Sequence, residues 1–129
     1  MSNKKPPIPS EIRYEKSEAK LYVSFGGLKL NCFSAEFLRV FSPSAEVRGH
    51  GQGQEILQVG KKDVQITAIE PVGNYGVKLV FDDSHDTGIY SWAWLHYLAE
   101  NQDSLWQKYL KDLADAGGKR QASAPTNLK

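Results

Sequence analysis

Four groups of side chains in this sequence are of types that could do chemistry. The first is an acidic reversal, Asp82-Asp83-Ser84-His85-Asp86, which places carboxylates beside an imidazole. His85, Asp83 and Asp86, joined by His50 from an earlier loop, would offer nitrogen and oxygen donors to iron or zinc. Their spacing matches no defined metal motif, and acidic residues are also ordinary turn formers. The second group is Ser42, Ser44, His50 and His85, the hydroxyls and imidazoles that nucleophilic catalysis uses. No Gly-x-Ser-x-Gly elbow accompanies them. The third is Arg48 with glycines at 49, 51 and 53, where the backbone could approach a ligand and the guanidinium clamp an anion. The order is neither GxGxxG after a strand nor a P-loop, so no nucleotide is implied. The fourth is aromatic: Trp94 and Tyr97 point away from the apolar face of their helix, and an exposed Trp is a docking anchor.

The elements that must hold these groups are legible from periodicity. Val64, Ile66 and Ala68, then Val77, Leu79 and Phe81, alternate with polar or less buried positions, the pattern of half-buried strands. Gly73-Asn74-Tyr75-Gly76 between them predicts a hairpin turn. After the acidic reversal, Thr87 to Tyr90 predicts a short strand, and Ser91 a cap for a helix from Trp92. Upstream, Glu11 to Lys16 and Lys20 to Phe25 predict another hairpin, continuing into Leu28 to Cys32. Ser34 is placed to cap a short helix, with Phe33 and Leu38 spaced as a hydrophobic staple. Ser42 and Pro43 suggest the cap and first position of a further helical turn. Trp92, Leu95, Leu98 and Ala99 share one helical face, interrupted over Asn101 to Asp103. Ser104 and Gln107 then fit a capping box for a final helix that Gly117-Gly118 ends.

The chain has 129 residues, 40% of them hydrophobic, which predicts one domain with a real core. Residues 1–9 read as a flexible leader, 10–116 as the domain and 117–129 as a disordered tail. The class is α+β: a small antiparallel sheet of two hairpins in a meander, with short helices and a C-terminal helical pair packed on it. Sixteen basic residues stand against fifteen acidic ones, a balance that argues against a nucleic-acid partner. The single Cys32 excludes an internal disulfide and points to a reducing compartment. No secretory signal and no membrane-spanning apolar run is present, so a cytoplasmic location is expected.

The strings SPSAEVRGHG and IEPVGNYGVKLVFDDSHDTGIYSW closely resemble the gamma-butyrobetaine hydroxylase-like N-terminal domain family, over about Glu11 to Leu98. The resemblance implies a small stand-alone bacterial member. In other proteins the domain precedes gamma-butyrobetaine and trimethyllysine dioxygenases or is fused to P-loop carriers of iron–sulfur clusters. In the dioxygenases it carries zinc rather than the catalytic iron, and the separate oxygenase domain has no room in this chain. The three zinc cysteines of that pattern fall here on Ser42, Ser44 and Val47, and its histidine on His85. Hydroxyls and a valine do not replace thiolates, so the Cys₃His site is expected to be lost. The expected function is therefore a non-catalytic interaction module, not an enzyme. It would serve an iron–sulfur carrier or a larger, oxygenase-type enzyme through Arg39, Ser42, Ser44, Glu46, Arg48, His50 and Trp94. The alternative is a protein binding iron or zinc through His85 and its neighbouring carboxylates.

Overall fold

The computed structural model describes residues 7–26, 29–49 and 55–121. Strand β1 (Glu11–Glu15), β2 (Lys20–Ser24) and β3 (Leu30–Ser34) form one antiparallel sheet, with Tyr14 opposite Leu21 and Leu21 opposite Phe33. Strand β4 (Ile66–Val72), β5 (Gly76–Phe81) and β6 (Gly88–Ser91) form a second. The α+β reading holds, with the strands divided between two three-stranded sheets rather than gathered in one. Alternation decides which side chains go inward. Leu21, Val23 and Phe33 from the first sheet and Val77, Leu79 and Phe81 from the second bury in one shared core.

Helix α1 (Ala35–Val40) follows β3 without a loop. The Ser34 hydroxyl accepts the Phe37 N–H at 3.0 Å, and Phe33 and Leu38 on either side of that cap are both fully buried. Helix α2 (Ala45–Arg48) is a single turn, while α3 (Trp92–Glu100) and α4 (Gln102–Asp115) form the C-terminal pair. Ser91 caps α3 by accepting the Trp94 N–H at 3.0 Å. Tyr90, fully buried, donates its hydroxyl to Leu38 O at 2.5 Å and joins the second sheet to α1. Burial pushes that hydroxyl well above the ordinary tyrosine value.

Four expectations are corrected. The third strand runs from Leu30 to Ser34 and feeds α1 directly, while Leu28 lies outside the described residues. Ser44, not Ser42, caps α2, accepting the Glu46 N–H at 3.1 Å, so Pro43 precedes the cap. Ser104 forms no capping box: α4 starts at Gln102, and Ser104 donates back to Asn101 O at 3.1 Å. The chain past Gly117 is not all tail. Gly60 and Lys62 donate their N–H groups to Lys119 O and Arg120 O, each at 2.9 Å. Arg120 then forks onto the buried carboxylate of Glu36 at 2.9 and 2.8 Å and lies over Trp106.

Candidate functional site

Where α1 ends, the chain turns inward and Ser42 becomes completely buried, 0% exposed. The turn between β5 and β6 brings His85, itself 4% exposed, against it. Ser42 Oγ lies 2.9 Å from His85 Nε2, and His85 Nδ1 lies 3.1 Å from Glu46 Oε1. A carboxylate can only accept, so Nδ1 carries the proton and Nε2 accepts the Ser42 hydroxyl. Ser42 Oγ also accepts the Ser44 N–H at 3.2 Å, and Ser44 Oγ meets Thr87 Oγ1 at 2.6 Å. These bonds join the α1–α2 junction to the β5–β6 turn.

Beside them, Asp83 accepts from Arg39 Nε at 2.9 Å, Lys61 Nζ at 2.6 Å and the His85 N–H at 3.2 Å. Partial burial opposes ionisation of Asp83, but the bonds from Lys61 and Arg39 outweigh it and hold the carboxyl below its ordinary value. Burial, and then the charge of Arg39, lower the His85 pKa from 6.5, more than Glu46 and Asp83 raise it. The folded chain therefore binds a proton at His85 less readily than the unfolded chain does. The stability this contributes is whole above the ordinary histidine value and is lost as pH falls from there through the folded value. Unfolding in urea at a series of pH values should show wild type losing stability as pH falls below the ordinary histidine value, with a flatter profile for His85→Gln. Parallel profiles for the two proteins would exclude His85 as the cause.

Carboxylate, imidazole and hydroxyl here have the connectivity of a nucleophilic triad. Access decides against that role. Ser42 has no exposed surface, and Gly88 packs so closely that a Cβ there would lie 2.5 Å from Ser42 Oγ. The hydroxyl is thus closed off from solvent, and the bonds it makes tie the α1–α2 junction to the β5–β6 turn.

The metal expectation fares differently for its two donor sets. His85, Asp83 and Asp86 do not gather: the imidazole faces Ser42 and Glu46, while the Asp83 carboxylate faces Arg39 and Lys61. His50 lies outside the described residues. Among the described residues, no three His, Cys, Asp or Glu side chains are close enough to hold a metal ion. Of the set that the resemblance assigned to zinc, Ser42, Ser44 and His85 do come together, with Val47 buried on α2. They do not fit zinc. The hydroxyls are neutral, Val47 has no donor, and both ring nitrogens of His85 already face partners, Ser42 and Glu46.

The other side of α2 faces a groove. Val47 and Arg48, the segment 55–58, Trp94 and Tyr97 of α3, and Leu105, Lys108, Tyr109 and Asp112 of α4 line a cavity of about 510 Å³. Trp94 is fixed in it, donating its indole N–H to Phe41 O at 2.9 Å and lying 5.3 Å from the Arg48 guanidinium. Tyr97 stacks on Trp94 at 5.3 Å and remains 45% exposed, and Ile56 is 54% exposed. Tyr109 donates to Gln58 O at 2.8 Å, and Ile56 donates its N–H to Val47 O at 2.8 Å.

The expected interaction residues thus divide. Arg39, Ser42 and Ser44 are buried, whereas Glu46 is exposed and Arg48 and Trp94 line the groove. Ile56, Leu57 and Tyr109 were not expected there. Nothing local to Ile56 and Leu57 signals their neighbours on α4, about fifty residues on.

Comparison with known proteins places this architecture. The family described as "Gamma-butyrobetaine hydroxylase-like, N-terminal" matches residues 12–96. Two proteins solved by solution NMR are similar throughout. One has 42% identity and a TM-score of 0.81, covering 97% of this chain and 98% of that one. The other has 44% identity and a TM-score of 0.80, covering 100% and 96%. A crystal structure of a protein of unknown function in the DUF971 family, from Acidithiobacillus ferrooxidans ATCC 23270, has 32% identity and a TM-score of 0.62. It covers 74% of this chain and 98% of that one. No curated protein matches this chain. Among the described residues, no helix is long and apolar enough to cross a membrane.

Proposed function

This chain belongs to the gamma-butyrobetaine hydroxylase-like N-terminal family, and from that premise we propose that it is a non-catalytic module that docks a protein partner in the groove between α2, α3 and α4. The observation carrying this reading is the groove's aromatic wall. Trp94 is held rigid by Phe41 O and Arg48, beside half-exposed Tyr97 and exposed Ile56. Rigid aromatics flanked by exposed apolar surface are what a protein anchor packs against. The sealed Ser42–His85 pair supports the non-catalytic part, because the best-assembled chemical group cannot meet a substrate. The partner class we propose is an iron–sulfur carrier or another larger enzyme, in keeping with a family defined by the N-terminal part of a hydroxylase.

Site-specific photo-cross-linking tests this. A benzophenone amino acid would be placed at position 56, at 97, or at exposed Thr67 on β4, in cells of the native host. One protein of the proposed class should be captured from 56 and 97, not from 67, and capture should fall at least about tenfold in an Arg48→Glu background. Equal capture from all three positions would reject the groove as the docking surface.

A further inference from the structure

We propose that the buried bonds behind α2 position the groove in front of it, making His85 and Thr87 positioning residues although neither lines the groove. This rests on the docking reading above. Helix α2 has four residues, far too few to be stable alone, so its place is set by whatever grips it. Its residues face two ways. Ser44 at the cap is held by Thr87, and Glu46 reaches His85, whose other nitrogen is held by Ser42. Val47 and Arg48 line the groove.

The grip extends further. The Val47 carbonyl accepts the Ile56 N–H at 2.8 Å, so the segment carrying exposed Ile56 moves with α2. The Arg48 guanidinium lies over Trp94, so any shift of α2 changes the charge above that indole. A displacement at the β5–β6 turn is thereby transmitted through one helical turn to the anchor residues. The path is contiguous: Thr87 to Ser44, His85 to Glu46, then Arg48 to Trp94 and Val47 to Ile56.

The test uses the full chain labelled with 5-fluorotryptophan, whose three tryptophans give three fluorine signals, Trp94 assigned through Trp94→Phe. Thr87→Val and His85→Gln should each shift or split the Trp94 signal while those of Trp92 and Trp106 keep their positions. Thr87→Ser, which retains the hydroxyl, should restore the wild-type spectrum. If His85→Gln does not fold, the exposed Thr87 substitution decides alone. An unmoved Trp94 signal overturns the proposal, as does an equal movement of all three, which would report general loosening. No partner is needed for this readout, so its failure leaves docking standing. Failure of the cross-linking pattern would remove docking whatever the fluorine spectra show.

Discussion

Valine in place of Ser42 should destabilise the protein by about 4 kcal/mol, the largest effect expected of a single substitution around the α1–α2 junction. Two costs combine. The Ser44 N–H and His85 Nε2 both lose their partner in a buried setting, at about 1–3 kcal/mol for each group left unsatisfied. The second γ-carbon of valine must also enter space already filled, since Gly88 and Tyr90 close over Ser42, and overpacking costs about 1–3 kcal/mol. Costs at one site do not add fully, hence a figure below their maximum. Ser42→Ala carries only the first and should lose about 2 kcal/mol. Equilibrium unfolding in urea measures both variants, and near-equal losses would show that crowding by Gly88 plays no part.

Alanine at Gly76 should cost about 3 kcal/mol or more, for a reason rooted in the backbone. A Cβ at that position would stand 2.4 Å from Tyr90 O and 2.9 Å from Ser91 Cα. Neither neighbour is the movable tip of a side chain. To make room, β5 and β6 must part where Gly76 opposes Ser91, the residue that also caps α3. The damage therefore spreads from a sheet to the helix bearing Trp94. A thermal melt should drop sharply, and a variant as stable as wild type would mean that β5 and β6 part at Gly76 without cost.

Features that depend on neighbours in sequence were legible in advance. Period-two apolar runs marked β4 and β5, β-favouring side chains marked β2, and Ser34 and Ser91 act as caps because each precedes a helix and has its acceptor in reach of an N–H three residues on. Local signals misled where two candidates competed. Ser42-Pro43-Ser44 offers two caps, and the choice went to Ser44 because Ser42 is drawn into the core by His85, 43 residues away. Ser104 lost its cap role because α4 begins earlier, where Gln102 donates to Cys32 O at 3.2 Å. Glu36, in the first turn of α1, is paired with Arg120, 84 residues on, which no local signal gives. The polar cluster was half foreseen, since Ser42, Ser44, Glu46 and His85 were all singled out. Their roles were not, because hydroxyl–imidazole bonding and burial appear only once two turns are brought face to face.

The groove has two banks. Val47, Arg48, Trp94 and Tyr97 lie close to or inside the stretch that defines the family, whereas Leu105, Lys108, Tyr109 and Asp112 come after residue 96. The first bank is tethered from beneath by the hydroxyl and imidazole lattice, so substitutions there carry a folding penalty. In the second, Tyr109 is buried, but Lys108 and Asp112 form an exposed ion pair whose replacement costs little. On the docking reading proposed above, exchanges at Lys108 and Asp112 would alter the face offered to a partner at little folding cost, whereas exchanges behind α2 would disturb the scaffold that presents it.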